Sequence, residues 1–354
     1  MTESTAEASG GVVSAASRRG PLALESIGLS KDFRLGHGQV VHAARDVSFS
    51  LYSGAVVALV GESGSGKSTV ARMLAGQERP TSGTIRLVGK PVELSSRRAF
   101  RHYKGSVQMV FQDPFASLNP VHTVRHHLER PIRLHQAHKS KAELRAEVNK
   151  LLEQVRLMPA EQFAAKYPHE LSGGQRQRVS FARALAAQPT VLLADEPVSM
   201  LDVSIRLEML SLLDDLRTRL HLAMLYITHD IASARYFADE VLVMYAGEVV
   251  ERGPAEQVTQ HPAHPYTQLL VASAPDPDNL GSTLRSGAQA AAHRGGVAVA
   301  EQGCPFNPRC PFADDKCRAE DPAPQPVSAE RAASCWHLDA AATAAVATAG
   351  ESEV

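Results

Sequence analysis

Short apolar runs alternate with amphipathic stretches through the middle of the chain. Residues 46–51 (DVSFSL) alternate apolar and polar positions, which predicts a half-buried strand. Residues 55–60 form a continuous apolar run that ends at a glycine, and residues 191–194 and 224–227 have the same character, typical of strands buried on both faces. Helices are expected between these strands, over residues 68–75, 204–220 and 231–238. This alternation predicts an α/β domain with a mainly parallel sheet.

A helical pattern interrupts this alternation over residues 113–180. Five apolar side chains within it recur at helical spacing and share one face: Leu144, Val148, Leu151, Leu152 and Val155. We interpret this stretch as a helical insertion into the α/β domain. Three other segments show little periodicity, so we predict a disordered tail over residues 1–20, a linker over residues 276–302 and a second disordered tail over residues 339–354.

Charge and composition narrow the classes of function. Among 354 residues, 37 are Lys or Arg and 38 are Asp or Glu, giving a net charge of -1. This balance argues against a protein that works mainly by neutralising nucleic-acid phosphates. No apolar run has the 18 or more residues that a membrane span needs, and the first 20 residues lack the apolar core of a secretory signal. We therefore expect a cytosolic chain.

A glycine-rich loop is the strongest motif. Residues 61–69 (GESGSGKST) fit the pattern G-x-x-x-x-G-K-[ST] between a predicted strand and a predicted helix, as a phosphate-binding loop requires. Its glycines allow backbone N–H groups to converge on phosphate oxygens, while Lys67 supplies charge for the β- and γ-phosphates and Ser68 a hydroxyl for Mg²⁺. The predicted nucleotide-binding residues of this loop are Gly61, Glu62, Ser63, Gly64, Ser65, Gly66, Lys67, Ser68 and Thr69.

Two carboxylates end a second buried strand, TVLLADE, over residues 190–196. Asp195 is predicted to hold the Mg²⁺ shell together with Ser68. Glu196, at the end of the strand, is predicted to orient and deprotonate the water that attacks the γ-phosphate.

A Ser-Gly-Gly sequence begins a further helix, expected over about residues 176–187. Such a helix start is a second anion-binding terminus, yet the chain has only one phosphate loop. The pairing makes sense if two chains face each other and each nucleotide lies between the loop of one chain and the Ser-Gly-Gly terminus of the other. The residues predicted to contact ATP in trans are Ser172, Gly173, Gly174 and Gln175.

The loop, the LSGGQ sequence and the VLLADE strand together resemble the ATP-binding subunit of ABC transporters. The resemblance implies ATP and Mg²⁺ as ligands. It matches Gln112 to the Q-loop glutamine, which contacts Mg²⁺ and water and couples to the membrane partner. His229 matches the switch histidine that contacts the γ-phosphate, and Asp202 matches the D-loop, although Met200 stands where alanine is more usual. Phe33 matches the aromatic residue that stacks on adenine, where tyrosine is commoner.

Three further sequences resemble the oligopeptide/dipeptide/nickel importer subfamily: QDPFASLNP at 112–120, HPYT at 264–267 and GCPFNPRCP at 303–311. This resemblance implies a P-loop NTPase core with a mainly parallel sheet, an antiparallel β subdomain, a helical insertion and a Cys-containing C-terminal extension. It places the ATPase domain over residues 21–275 and the C-terminal Cys region over residues 303–338.

The subfamily resemblance also implies a function and partners. The chain would hydrolyse ATP to energise import of di- or oligopeptides, peripheral on the cytoplasmic face of the plasma membrane. Its partners would be two transmembrane permease subunits, a second ATP-binding subunit, identical or different, and an extracytoplasmic substrate-binding protein; no nucleic acid is expected. Nickel or oligosaccharide import is the alternative within the subfamily. A soluble ABC ATPase acting on DNA or ribosomes is the alternative class, against which the single phosphate loop and the lack of sustained heptads weigh.

All four cysteines lie in the C-terminal region. Cys304, Cys310, Cys317 and Cys335 have five, six and seventeen residues between them, which is not the C-x2-C spacing of zinc ribbons. Four thiolates without nearby histidines in the first spacings suit an iron–sulfur cluster. In some members of the resembled subfamily such cysteines hold a [4Fe–4S] cluster. Zinc, reduced or partly paired cysteines, and a redox sensor remain as alternatives.

Overall fold

The computed structural model describes residues 20–35, 39–93, 96–113, 117–136, 140–273, 299–300 and 302–338. The tail predicted over residues 1–20 lies outside the described residues except for Gly20. The tail predicted over residues 339–354 and nearly all of the linker predicted over residues 276–302 also lie outside them.

The described strands form two sheets. In chain order they are β1 (Leu22–Arg34), β2 (Val40–Tyr52), β3 (Val56–Val60), β4 (Ser82–Leu87), β5 (Lys90–Pro91), β6 (Val107–Val110), β7 (Val191–Asp195), β8 (Ala223–Thr228), β9 (Glu240–Tyr245), β10 (Glu248–Pro254), β11 (Gln325–Ser328) and β12 (Arg331–Ala333). The larger sheet has the spatial order β11-β12-β10-β9-β3-β8-β7-β6, and the smaller has the order β2-β1-β4-β5.

Parallel pairing holds the centre of the larger sheet together. Strand β3 pairs in parallel with β8 and β9, and β7 pairs in parallel with β6 and β8. Strands β10, β12 and β11 then continue the sheet in antiparallel pairs, and the smaller sheet is antiparallel throughout. The expected fold class, a mainly parallel α/β core with an antiparallel β subdomain, is confirmed.

The central strands are buried on both faces, as their continuous apolar runs predict. In β3, Val56, Ala58 and Val60 belong to one buried apolar cluster, whereas Val57 and Leu59 belong to the other. The first cluster joins the sheet to the helical insertion, and the second joins it to the first helix and the smaller sheet. Alternate side chains of this short strand therefore pack into the apolar layers on the two faces of the sheet.

The described helices are α1 (Lys67–Leu74), α2 (Arg97–Ser106), α3 (Val124–His135), α4 (Lys141–Gln154), α5 (Ala160–Ala165), α6 (Gly173–Leu185), α7 (Val203–Leu220), α8 (Ile231–Phe237), α9 (Ala255–Gln260), α10 (Pro265–Ala272) and α11 (Asp315–Ala319). The apolar face predicted for α4 is buried. Helix α6 begins earlier than expected because the Ser172 hydroxyl accepts a hydrogen bond from the backbone N–H of Gln175, which caps the helix at Ser172. Among the described residues, none of the helices combines the length and apolar character that crossing a bilayer demands.

The cysteine-containing C-terminal region is continuous with the larger sheet. Strand β12 pairs with β10, and β11 completes the edge. The Arg331 guanidinium donates to Glu251 Oε1 at 2.8 Å, and the two side chains are 8% and 0% exposed. Cys304 and Phe306 belong to the buried cluster that contains Val56, Ala58 and Val60 of β3. This packing brings the cysteine region beside the phosphate loop.

Candidate active site

The phosphate loop lies where β3 ends and α1 begins, and two glycines let it pass close to neighbouring strands. A Cβ at Gly61 would lie 2.2 Å from the carbonyl oxygen of Met244 in β9. A Cβ at Gly66 would lie 2.1 Å from the carbonyl oxygen of Ala43 in β2, and Gly66 has a φ of 103°. Only glycine fits either position without displacing backbone, so these glycines are structural requirements of the loop.

Lys67 begins α1 and is buried. Its Nζ donates to the carbonyl oxygens of Gly61 and Glu62, each at 2.7 Å, and to Ser65 Oγ at 3.3 Å. Burial lowers the pKa of Lys67, while the carboxylates of Glu196, Asp195 and Glu62 act in the opposite direction. The loop thus holds the Lys67 ammonium group against its own backbone, and the neighbouring carboxylates favour the charged form of this group.

The strand end of β7 and the start of α1 meet at the residues predicted to hold Mg²⁺. Ser68 Oγ donates to Asp195 Oδ1 at 3.1 Å. Burial raises the pKa of Asp195, whereas the hydrogen bond from Ser68 lowers it. A hydroxyl and a carboxylate at this distance form the oxygen-rich ligand pair that Mg²⁺ prefers.

Glu196 is the meeting point of three strand ends. Its Oε2 accepts a hydrogen bond from Gln112 Nε2 at 3.1 Å and lies 3.1 Å from His229 Nδ1. Gln112 follows β6 and His229 follows β8, so three parallel strands deliver these groups to one edge of the sheet. The hydrogen bond with His229 lowers the pKa of Glu196, and the same bond raises the pKa of His229. The lowered pKa favours the ionised form of Glu196, which its predicted role as general base requires.

A cleft of about 720 Å³ opens over these groups. Eight of the residues predicted from the sequence line it: Ser63, Gly64, Gly66, Lys67, Ser68, Thr69, Gln112 and Glu196. The cleft is also lined by residues that the sequence did not identify, namely Gln39 to Ala43 and Arg45 in and beside β2, Ala246, Val299 and Ala300. None of these carries a motif, so no sequence signal pointed to them.

Phe33 is not one of the described residues that line this cleft. It lies near the end of β1, opposite Val41 of β2, and its ring centroid is 4.9 Å from Lys31 Nζ. Stacking of Phe33 on adenine stays a prediction.

The Ser-Gly-Gly terminus is also separate from the cleft of its own chain. Ser172 is the N-cap of α6, and none of residues 172–175 lines the cleft. A Cβ at Gly174 would lie 2.9 Å from Ile205 Cγ2 in α7, so this helix start packs beside the start of α7, where Asp202 occupies the N-cap position. The predicted trans residues and the predicted D-loop residue therefore form a second surface, distinct from the phosphate loop.

Comparisons with known proteins bear on this arrangement. A family model described as "ABC transporter" matches residues 44–199, and one described as "Oligopeptide/dipeptide transporter, C-terminal region" matches residues 250–317. The chain is 41% identical over 313 residues to the Di/tripeptide transport ATP-binding protein DppF of Pseudomonas aeruginosa, covering 88% of this chain and 94% of that protein. The chain belongs to the ATP-binding proteins of ABC transporters. It is an ABC ATPase, as the motifs predict.

Another transport ATP-binding protein and two solved structures are also similar to this ABC ATPase. It is 41% identical over 283 residues to the Oligopeptide transport ATP-binding protein AppF of Bacillus subtilis, covering 80% of this chain and 85% of that protein. Among solved structures, the dimeric bacterial ABC transporter cassette MJ0796 matches with a TM-score of 0.59 and 28% identity, covering 66% of this chain and 99% of that one. A post-hydrolysis state of MJ0796 bound to ADP and Pi matches equally well, with a TM-score of 0.59.

The four cysteines of the ABC ATPase are free thiols in one C-terminal module, here defined as residues 302–338. Burial raises the pKa of all four, that of Cys304 to about 12. The Cys304 N–H donates to the Cys317 carbonyl at 2.8 Å, and the His337 N–H lies 3.3 Å from Cys335 Sγ. Cys304, Cys317 and Cys335 are thus buried and Cys310 is half-buried within one module. That they hold a metal centre stays a prediction.

The spacing of the sulfurs bears on which metal fits. Among the described residues, the only three ligand atoms of His, Cys, Asp and Glu that lie within 4.8 Å of one another come from Asp314, Cys317 and His337. Four thiolates on one tetrahedral zinc ion would lie about 3.8 Å apart, because each Zn–S bond is about 2.3 Å. No three of the four cysteine sulfurs lie within 4.8 Å of one another in the described part of the chain, which is wider than the ligand spacing of a single zinc ion. That these cysteines hold an iron–sulfur cluster stays a prediction.

Proposed function

We propose that this ABC ATPase energises the import of di- or oligopeptides as the peripheral, cytoplasmic-side subunit of an ABC transporter. The observation that carries the proposal is the match to a di/tripeptide transport ATP-binding protein along 88% of the chain, including the C-terminal region. The transport path belongs to two permease subunits, and an extracytoplasmic binding protein delivers the peptide.

In the proposed reaction, the loop around Lys67 holds the phosphates of ATP, and Ser68 and Asp195 hold Mg²⁺ with Gln112 nearby. Glu196 takes the proton of the attacking water, because the hydrogen bond from His229 keeps its carboxylate ionised. His229 and Lys67 stabilise the charge that builds up on the transferred phosphoryl group. The short contacts among Glu196, His229 and Gln112 support these roles.

A second ATP-binding subunit is proposed to complete each nucleotide site. Ser172, Gly173, Gly174 and Gln175 of one chain would contact the γ-phosphate held by the other chain, with Asp202 beside them. Support comes from the position of this helix terminus, away from the cleft of its own chain with Ser172 exposed. The dimeric relative MJ0796 has the same fold.

The permease contact is proposed at a groove of about 440 Å³ between the edge of the main sheet and the helical insertion. Phe111, next to Gln112, lines it together with Met109. Lys104, Arg130 and Arg183 also line it, and no carboxylate does among the described residues. This lining suits a short permease helix with apolar and acidic side chains, and movement of Gln112 would connect the groove to Glu196.

The cysteine module is proposed to hold a [4Fe–4S] cluster through Cys304, Cys310, Cys317 and Cys335. Bound there, a cluster would supply a rigid crosslink between the segments that carry the four cysteines. Iron analysis and visible absorbance of protein purified without oxygen test this. About four irons per chain with a broad absorbance near 400 nm would support the cluster, and colourless, iron-free protein would refute it.

Transport is tested by reconstituting the ATPase with its permeases and binding protein in lipid vesicles. ATP-dependent uptake of a labelled dipeptide is expected, and the same complex carrying Glu196→Gln should not accumulate it. Uptake of nickel or an oligosaccharide in place of peptide would assign the cargo to another branch of the subfamily. Co-purification with nucleic acid and without permeases would contradict the proposal as a whole.

A further inference from the structure

An arginine of the cysteine module reaches into the phosphate loop. Arg309 donates from Nη1 to Glu62 Oε2 at 2.8 Å and from Nη2 to Glu62 Oε1 at 2.9 Å. This is a bidentate pair between residues 247 positions apart in the sequence. Each side chain is only 15% exposed, so the pair is poorly screened by solvent.

Glu62 is held by its backbone as well as by its carboxylate. Its N–H donates to the Tyr266 hydroxyl at 2.8 Å, and its carbonyl accepts from Lys67 Nζ at 2.7 Å. The Glu62 residue that Arg309 grips is therefore the one whose carbonyl holds the Lys67 ammonium. Any rotation of Glu62 changes the position of the group that is proposed to meet the phosphates.

The cysteine module fixes the position of Arg309. Arg309 ends a short 3-10 turn, Asn307–Arg309, which lies between Cys304 and Cys310. Asn307 Nδ2 donates to the Cys304 carbonyl at 2.9 Å, which ties the turn to the first cysteine. The guanidinium carbon lies 5.7 Å from the ring centroid of Phe306 and 5.9 Å from that of Tyr245. Folding of the module around its cysteines thus decides where this guanidinium sits.

The charge of the Arg309–Glu62 pair bears on nucleotide binding. Glu62 belongs to the phosphate loop, so an unpaired carboxylate there would add negative charge to the loop and oppose binding of the triphosphate. A bidentate guanidinium neutralises that carboxylate and fixes its direction. We propose that Arg309 is a positioning residue of the nucleotide site, through which the cysteine module sets the affinity of the phosphate loop for ATP. This inference rests on the proposed role of that loop in binding ATP.

The test compares ATP affinities of full-length variants by calorimetry. Arg309→Gln should weaken ATP binding about tenfold, and Arg309→Lys should lose less because it keeps the charge. Glu62→Gln combined with Arg309→Gln should regain most of the affinity, because the uncompensated carboxylate is then gone. The matched control is Arg318→Gln, an exposed arginine of the same module paired with Asp315, which should bind ATP as the native chain does.

Two further measurements separate the outcomes. ATP should slow hydrogen exchange of the backbone amides at residues 304–310 in the native chain but not in Arg309→Gln, since coupling between two sites is reciprocal. Equal ATP affinity in the native chain and Arg309→Gln would overturn the inference, as would an equal loss in the single and double variants. Lys67→Ala tests the proposed site separately: if it binds ATP normally, the nucleotide site is wrong, whatever Arg309 does.

Discussion

At the scale of single residues, one oxygen atom of Glu196 connects the side chains that were predicted to take part in hydrolysis. Oε2 of Glu196 contacts both Gln112 and His229, and Ser199 Oγ donates to the Glu196 backbone carbonyl at 3.0 Å. Glu196 itself has a φ of 46°, in the left-handed region that few side chains adopt. The strand end is therefore held in an unusual backbone conformation by contacts on both its side chain and its carbonyl, which directs the carboxylate into the cleft.

Replacing Glu196 by Gln should preserve ATP binding and stop turnover. Gln keeps the size of the side chain but cannot take a proton, so the hydrolysis rate should fall by a factor of about 100 or more. Single-turnover hydrolysis and ATP binding measured on the same preparation check this. Glu208→Gln, an exposed carboxylate of α7, is the matched control and should hydrolyse normally. Substantial steady-state hydrolysis by Glu196→Gln would show that another group is the base.

The same contact predicts a change in the titration of His229. The hydrogen bond to Glu196 is the largest cause of the raised pKa of His229, so the imidazolium form persists to higher pH than in a free histidine. In Glu196→Gln the pKa of His229 should fall toward the ordinary value of about 6.5. A proton NMR titration of the ring measures it. An unchanged pKa would mean that the two side chains are not hydrogen-bonded in solution.

At the scale of secondary-structure elements, helix ends do much of the positioning. Ser172 and Gln175 form a capping box at the start of α6, and His264 caps α10 by accepting a hydrogen bond from the Tyr266 N–H at 3.0 Å. Helix α10 in turn places the Tyr266 hydroxyl on the phosphate loop. Local capping thus fixes the helix terminus that is predicted to act in trans and the hydroxyl that contacts the phosphate loop.

His264 should make the folded protein sensitive to acid. Its side chain is fully buried, and burial lowers its pKa to about 3, against a hydrogen bond with the Ser334 backbone that raises it. The unfolded chain binds a proton below about pH 6.5, whereas the folded chain binds it only near pH 3. Within this window acid therefore favours unfolding, by about 1.4 kcal/mol for each pH unit.

Denaturant unfolding of His264→Asn at several pH values checks this expectation. Asn is a good helix cap, so α10 should persist while the pH dependence below pH 6.5 becomes shallower. The exposed His261, replaced by Asn, is the control and should leave the slope as it is. Parallel pH profiles for His264→Asn and the native chain would contradict the buried neutral state of His264.

At the scale of the whole molecule, a buried ion pair joins the cysteine module to the ATPase core. Glu251 in β10 accepts hydrogen bonds from Arg331 and from the backbone N–H groups of Ala263 and His264. Arg331 also donates to the His261 carbonyl. Three chain segments therefore converge on one carboxylate at the seam where β12 joins the sheet.

Replacing Arg331 by Met should destabilise the protein by about 3–5 kcal/mol, because Glu251 would remain buried without its counter-ion. Combining it with Glu251→Gln should recover part of the loss. Urea unfolding of the full chain measures the difference. The exposed Arg318, replaced by Met, should change stability by no more than about 1 kcal/mol. Equal effects at Arg331 and Arg318 would show that the seam does not depend on the buried pair.

Trans completion of the site predicts complementation between two inactive chains. Lys67→Ala disables the phosphate loop, and Ser172→Asp keeps a good N-cap but opposes the γ-phosphate with its charge. Each alone should be inactive, whereas an equal mixture of the two should recover about a quarter of the native activity, from mixed dimers with one intact site. No recovery on mixing, or full activity of a strictly monomeric native preparation, would refute the shared site.

Local sequence patterns determined the main secondary-structure elements and the nucleotide-binding motifs of this protein. The phosphate loop, the strand that ends in Asp195 and Glu196, and the helical face of α4 all follow from residues adjacent in sequence, and each lies where its pattern predicts. Such features depend on backbone conformation and periodicity, which neighbouring residues alone specify. The family resemblance rests on the same short motifs, and the match along most of the chain confirms it.

Tertiary structure alone decided which distant residues meet. The sequence around Glu62 does not predict that Arg309 is its partner, and the sequence around Glu251 does not predict Arg331. Each contact forms only after distant parts of the chain have folded together. The wall of the cleft made by Gln39 to Ala43 has no motif for the same reason. The nucleotide-binding motifs can therefore be recognised from residues adjacent in sequence. The contact between the phosphate loop and the cysteine module can be recognised only in the folded molecule.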